Sequence, residues 1–268
     1  MTCGAGALLA AGLWPGALAA ADADAGPGFR FFCINDLHYI DEKCGRFLEG
    51  VVAQLKRTPG GPVDFCVIAG DLTDLGEAAA FAAVRDVFKG LDMPVRVVIG
   101  NHDYPAGTDR KAYEEIHPGS INYTFEHKGW QFVALDSTDG TKAAVSVQPP
   151  TFAWLDAALP KLDAKRPTVL YTHFPLGATV PSRAKNADDV LDRFKGLNLR
   201  GVFGGHHHGL TERTRGDVPI TTNRCCSLRR QNHDKSTAKG YFLCTVKDAA
   251  VTHEFVEVPM PGAATRPG

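Results

Sequence analysis

The chain has no excess of charge of either sign: 29 Lys and Arg stand against 30 Asp and Glu in 268 residues. That balance leaves no global field to draw it onto nucleic acid or an anionic membrane, so no nucleic-acid partner is expected. None of its seven cysteines stands in a C-x-x-C pair, which argues against a structural zinc site. No internal repeat and no linker divides the sequence, so one domain is expected. Basic residues are missing from the start as well, since no Lys or Arg precedes Arg30. Met1–Ala21 is uncharged and nearly all Ala, Gly and Leu, but it contains Pro15 and barely reaches the ~20 residues of a membrane span. No membrane span is therefore expected. The ending Ala17-Leu18-Ala19-Ala20-Ala21 suits signal peptidase. Residues 1–28 are read as a signal peptide or disordered leader, and export to the periplasm or medium is expected. A twin-arginine route fits if translation starts upstream; a cytoplasmic protein with an Ala/Gly tail is the alternative.

What is present has the order of an α/β protein. Arg30–Asn35, Asp64–Ala69 and Val95–Ile99 are apolar runs that read as buried strands, each ending at a polar cluster. Phe47–Arg57 and Glu77–Lys89 read as helices between them, the second with Phe81, Val84 and Phe88 on one face. This β-α-β-α-β order predicts a parallel sheet with its motif loops gathered at the carboxyl edge. Ile121–Glu126 and Trp130–Leu135 read as a hairpin around His127-Lys128-Gly129. Pro149-Pro150-Thr151 opens a helix, with Thr151 as its expected cap. Thr168–Tyr171 and Gly201–Phe203 read as strands and Ala187–Phe194 as a helix. Leu210–Val258 reads as hairpins with turns near Gly216-Asp217 and Lys247-Asp248. Residues 259–268 are expected to be a disordered tail. Cys33 and Cys66 read as buried thiols. Cys44, Cys225, Cys226 and Cys244 leave room for one disulfide with unassigned partners.

Five clusters carry the chemistry: Asp36-Leu37-His38, Gly70-Asp71-Leu72-Thr73-Asp74, Gly100-Asn101-His102-Asp103, Thr172-His173 and Gly205-His206-His207-His208. Asp36 and His38 are spaced i, i+2, which puts both side chains on one side of an extended segment, and His206 and His208 repeat the device. Asp71 follows a glycine at a strand end, where its carboxylate can bridge two cations. Imidazole nitrogen with carboxylate and amide oxygen suits Mn, Fe or Zn. Taken singly most clusters are weak: Asp-x-His is noise, Gly-Asp is commonly a turn, and a histidine triplet can be a surface tract, while Gly-Asn-His-Asp is rarer. Their joint order at strand ends is what points to a metal site.

The series D-x-H, G-D-x-x-D, G-N-H-D, H and G-H-x-H resembles the calcineurin-like metallophosphoesterases, from about residue 29 to about 258. The resemblance implies a four-layer α/β/β/α sandwich with a dinuclear metal site at the strand ends. It also implies that Asp36, His38 and His208 hold one metal, that Asn101, His173 and His206 hold the other, and that Asp71 bridges them. A hydroxide between the two metals would then attack a phosphoester in line. His102 would stabilise the phosphoryl group or protonate the leaving alkoxide, and Asp74 would pair with His102 and orient it. Asp74 stands where purple acid phosphatases have a tyrosine ligand, and the longer motifs of the protein serine/threonine phosphatases are absent. The nearer resemblance is to bacterial cyclic-nucleotide and glycerophosphodiester phosphodiesterases. It rests also on Leu135-Asp136-Ser137, Trp154-Leu155 and Thr172-His173-Phe174-Pro175, although Thr172 stands where those relatives often have a second histidine.

The expected protein is thus a monomeric or weakly oligomeric, dinuclear metal-dependent phosphodiesterase acting on a small molecule. A phosphomonoesterase of the same fold and a non-catalytic binding module are the alternatives. His207 is expected to point away from the metals, and His117, His127, His233 and His253 read as surface or turn residues. Tyr104 either contacts substrate or packs its loop. Arg224, Arg229 and Arg230 either steer phosphate or line a solvated face.

Overall fold

Alternation of apolar side chains along one strand sets the architecture. In Phe29–Ile34, Phe29, Phe31 and Cys33 enter one apolar cluster while Phe32 and Ile34 enter another. A strand buried on both faces needs cover on both, and the rest of the chain supplies it. The computed structural model describes residues 27–261. All but the last two residues of the leader, and the tail beyond 261, lie outside the described residues.

In chain order the elements are β1 (Phe29–Ile34), α1 (Glu42–Leu55), β2 (Phe65–Ala69), α2 (Ala78–Lys89), β3 (Val95–Val98), α3 (Lys111–Ile116), β4 (Tyr123–His127) and β5 (Trp130–Leu135). They continue with α4 (Pro149–Ala158), β6 (Pro167–Thr172), α5 (Ala187–Arg193), β7 (Asn198–Gly204), β8 (Thr211–Arg215), β9 (Val218–Thr222), β10 (Lys239–Lys247) and β11 (Ala250–Val258). One sheet runs β11-β10-β1-β2-β3, with β1, β2 and β3 parallel; the other runs β4-β5-β6-β7-β9-β8, with β5, β6, β7 and β9 parallel. Three apolar clusters separate four layers. Phe47, Phe81, Phe88 and Tyr113 pack α1, α2 and α3 on the first sheet. Leu155, Val190 and Leu191 pack α4 and α5 on the second. Between the sheets lies an aromatic layer that includes Phe31, Phe65, Trp130, Phe132, Tyr171, Phe203 and Phe242. The fold is the α/β/β/α sandwich that the motif resemblance implied.

Differences from the sequence reading are local and have causes. Helix α1 starts at Glu42, five residues before the apolar run, because the Asp41 carboxylate accepts the N–H groups of Lys43 and Cys44 as a cap. Thr151 does not cap α4: the helix begins at Pro149, and the Thr151 hydroxyl instead donates to the Asp136 carbonyl at 3.0 Å. The hairpin turn is the two-residue Lys128-Gly129, both at positive φ, so that His127 pairs with Trp130 as a strand residue. Cys33, Cys44, Cys66, Cys225, Cys226 and Cys244 are buried free thiols, so no disulfide forms among the described residues.

Candidate metal centre

The seven expected ligands follow strand ends in both sheets. Asp36 and His38 follow β1, Asp71 follows β2 and Asn101 follows β3; His173 follows β6, and His206 and His208 follow β7. Asp36, His38, Asp71, His206 and His208 all adopt left-handed backbone, with φ of 55°, 48°, 51°, 61° and 47°. The i, i+2 pairs are therefore not aligned on an extended segment, as the spacing suggested. Each is a double left-handed turn that folds both side chains inward, a conformation non-glycine residues adopt at a cost of ~1 kcal/mol each. Hydrogen bonds between loops hold it: Asp36 N–H donates to the Gly70 carbonyl and His38 N–H to the Asp71 carbonyl, both at 3.0 Å. Glycine is required where the loops cross, since a Cβ on Gly70 would sit 2.3 Å from His173 Nδ1.

The side chains meet in two overlapping groups. Asp36, His38, Asp71 and His208 place one ligand atom each within 4.8 Å of one another, and so do Asp71, His173 and His206. Asp71 belongs to both: its Oδ2 lies 3.4 Å from His38 Nε2 and its Oδ1 lies 3.3 Å from His173 Nε2. The Asn101 amide oxygen is 3.2 Å from that same His173 nitrogen. His208 Nε2 is 3.2 Å from Asp36 Oδ1 and 3.1 Å from His38 Nε2.

Each imidazole has its outward nitrogen committed. His208 Nδ1 donates to the Gln231 carbonyl at 3.1 Å, His173 Nδ1 to the Ala69 carbonyl at 3.0 Å, and His206 Nε2 to the Ala143 carbonyl at 3.1 Å. His38 Nδ1 donates to Asp74 Oδ1 at 2.8 Å. A carbonyl only accepts, so these bonds fix the tautomers and leave the inward nitrogen of each neutral ring as a bare lone pair, the arrangement of metal-binding histidines. The His38 and His208 lone pairs would face each other across 3.1 Å and repel unless a proton or a cation intervened. The residues present thus fit a nitrogen- and oxygen-ligated cation on either side of Asp71.

Without cations, protons take up that role. Burial opposes charge on His208 and His173, but the carboxylates override it. Asp36 pushes His208 up to about 11, and Asp71 followed by Asp36 pushes His173 up to about 9. Burial likewise opposes charge on Asp36 and Asp71, yet His208 and His173 hold Asp36 below the ordinary carboxylate range, and His173 and His38 hold Asp71 well below it. His206 goes the other way, down to about 4, through burial and the charge on His173.

His102 lies beside the groups, and its N–H donates to Asp71 Oδ1 at 2.9 Å. Its expected partner, the Asp74 carboxylate, is within ion-pair reach but is shared with two other groups. That carboxylate accepts from His38 Nδ1 and from the Arg230 guanidinium, while His102 Nδ1 donates to the Asp74 backbone carbonyl at 3.1 Å and stands 3.6 Å from the carboxylate. Burial works against the Asp74 charge, but His38 and Arg230 hold it down at about 2. Of the three candidate arginines only Arg230 reaches the site, its Nη2 lying 3.3 Å from His102 Nδ1; Arg224 pairs with Asp234 and Arg229 with Asp41. Tyr104 packs its loop, buried with its hydroxyl 2.7 Å from Thr138 Oγ1.

One residue in the motifs was passed over. Asp103, fully buried, accepts from Thr73 N–H at 2.9 Å and from Gly100 N–H at 2.8 Å, tying the loop after β2 to the loop after β3. Its signal was the last letter of Gly-Asn-His-Asp. Among the other histidines, His207 is buried, His117 packs on Phe81 and Tyr113, and His127 pairs with Asp64 at 2.7 Å; His233 stacks on His208, and His253 packs on Phe242.

A cluster of this kind at the carboxyl ends of two facing sheets invites comparison with known proteins, and residues 29–210 match the sequence profile of the calcineurin-like phosphoesterases. The chain belongs to that family. It is 28% identical over 157 residues to a probable cyclic nucleotide phosphodiesterase of Fibrobacter succinogenes, covering 54% of this chain and 58% of that protein. It is also 28% identical over 224 residues to the glycerophosphodiester phosphodiesterase GpdQ of Enterobacter lignolyticus, covering 74% and 77%. Among solved structures, a dimetal phosphatase from Danio rerio superposes with a TM-score of 0.65 at 17% identity, covering 87% of this chain and 97% of that one. A purple acid phosphatase from yellow lupin superposes with the same score at 10% identity, covering 87% and 52%. The structural likenesses show the fold. The family assignment makes this calcineurin-like phosphoesterase a member of a group of metal-dependent hydrolases of phosphoric esters. Among its described residues no helix is long and apolar enough to cross a membrane.

Proposed function

We propose that the protein binds two metal ions, drawn from Mn, Fe or Zn, and hydrolyses a small-molecule phosphodiester. The observation that carries this reading is the position of Asp71, whose two oxygens face the two separate ligand groups. Two cations held there would supply a nucleophilic water of lowered pKa and neutralise charge on the phosphoryl oxygens. The chain's own groups do the rest. Asp36 and Asp71 accept backbone N–H groups from His206 and His102, which fixes the carboxylates in place. His102, held through Nδ1 by the Asp74 carbonyl, keeps Nε2 for the departing oxygen and would donate a proton there as the imidazolium. Arg230, about one-third exposed at 38%, sets a cation beside it for a phosphoryl oxygen.

A diester is favoured over a monoester by the names of the relatives and by Asp74 in place of the tyrosine of purple acid phosphatases. After loading with Mn, Fe or Zn, bis-p-nitrophenyl phosphate should be cleaved with a higher kcat/KM than p-nitrophenyl phosphate. The reverse order would make the protein a monoesterase, and no turnover of either with any metal would remove the reading. Export belongs to the same proposal, supported by the uncharged Met1–Ala21 run. Recovery of the full chain solely from the cytoplasmic fraction would overturn it.

A further inference from the structure

Large apolar side chains are rarely exposed among the described residues of this molecule. Among the described residues those that are exposed are Ile40 (42%), Leu75 (56%) and Leu210 (37%). Exposed leucines scattered singly need no explanation, but these three are not scattered. Ile40 lies two residues after His38, Leu75 one after Asp74, and Leu210 two after His208. Each therefore follows a site residue out of the centre towards solvent. The segments that carry Ile40 and Leu75 are also brought together. Tyr39 and Thr73 form a parallel bridge, and Asp74 N–H donates to the Tyr39 carbonyl at 3.1 Å, so the two segments leave the site side by side. The same segments border the groups assigned to the phosphoryl end. The carbonyl that holds His102 belongs to Asp74, the neighbour of Leu75, and the carboxylate that holds Arg230 is that of Asp74 itself.

We propose that Ile40 and Leu75 form a specificity rim for an apolar group esterified to the substrate phosphate, so that the preferred substrates are phosphoesters of an apolar alcohol rather than of a bare polyol. The inference rests on the phosphoesterase reading of the same centre and adds the class of alcohol. An anionic head beside Arg230 and His102, followed by a hydrocarbon segment over Ile40 and Leu75, matches the sequence of charge and apolarity along these two loops. A glycerol or ribose hydroxyl in the same place would lose hydration against the Ile40 and Leu75 side chains and gain no partner from them.

The test uses n-alkylphosphonates from methyl to octyl as probes on the metal-loaded full chain, with binding read by calorimetry. Dissociation constants should fall by about two- to fourfold for each added methylene until the rim is covered, the increment expected for partial to full burial of a CH2 group. In the Ile40→Asn/Leu75→Gln double variant the dependence on chain length should flatten, while methylphosphonate, too short to reach the rim, binds both proteins alike. Retained Mn binding by the variant separates this from misfolding. Constants that do not vary with chain length in the unaltered protein would overturn the proposal, as would an undiminished dependence in the double variant. A flat series combined with sedimentation on phosphatidylcholine vesicles, lost in the double variant, would assign the rim to a membrane surface instead. Because the readout is binding, a protein that takes octylphosphonate tightly yet turns over no ester would defeat the activity reading and leave the rim assignment in place.

Discussion

Asp74 and His102 stand close together but hold different things, and substitution should separate them. The Asp74 carboxylate orients His38, so Asp74→Asn is expected to weaken metal binding about 10- to 100-fold, with kcat recovering as Mn is raised to saturation. His102→Ala removes the proposed proton donor and should lower kcat by about 10²–10⁴-fold with no recovery at saturating metal. Metal titrations of both variants followed by kcat on a diester read the difference; identical behaviour would mean that the Asp74–His38 bond is not what matters. Backbone strain makes a second residue-scale prediction. His206 sits at φ 61°, where glycine is at ease and alanine is not. In chelator-treated protein His206→Gly should be more stable than His206→Ala by ~1 kcal/mol in urea unfolding, the reverse of the usual order. At this scale the sequence showed which residue types were present but not how they were held. The bonds to Ala69, Ala143 and Gln231 use backbone carbonyls that any residue would supply. The partner of Asp74 could not be read either, because His38 and His102 lie equally far from it in chemical kind and only the fold chooses between them.

Between elements, the site depends on loops that belong to different strands yet behave as one body. Asp103 is the clearest instance: both of its oxygens accept N–H groups, from Thr73 and from Gly100, with no solvent near. An asparagine there would turn an NH2 towards one of those donors and leave it unpaired. Asp103→Asn should therefore cost about 1–3 kcal/mol of unfolding free energy, whether or not metal is bound. Most elements were legible because their periods are strong: Phe81, Val84 and Phe88 marked α2, and the Val95 and Trp130 runs marked β3 and β5. The tail was legible only as hairpins. That β8 and β9 join the second sheet while β10 and β11 join the first is decided by packing across the sandwich, with Phe242 and Cys244 reaching the inter-sheet layer, and no local pattern records it.

The molecule as a whole is two sheets whose carboxyl edges each bring part of one charged cluster. Asp36, His38, Asp71 and Asn101 come from the first and His173, His206 and His208 from the second, with the aromatic layer of Phe31, Phe132, Tyr171 and Phe203 fixing the distance between them. Two buried carboxylates in such a cluster require two positive charges, and without metal the protons on His173 and His208 provide them. Because those imidazoles are raised to about 9 and about 11, both are charged at neutral pH in the metal-free protein. A cation that takes their inward nitrogens must displace the protons, so loading releases up to about two protons at pH 7 and apparent metal affinity rises as pH increases towards 9. Mn titrations by calorimetry at pH 7, in buffers of differing ionisation enthalpy, measure the number released. Once His173 loses its proton unaided, above about pH 9, the release should fall and the affinity gain should slow. Proton release near zero at pH 7 would show that the carboxylates are not balanced by these two histidines. A bound metal would also link the sheets, since Asp71 comes from one and His173 from the other. Chelation should accordingly lower Tm, and by more at pH 8.5 than at pH 6, because protons compete less with the metal at the higher pH and the ion removed there is the more tightly bound.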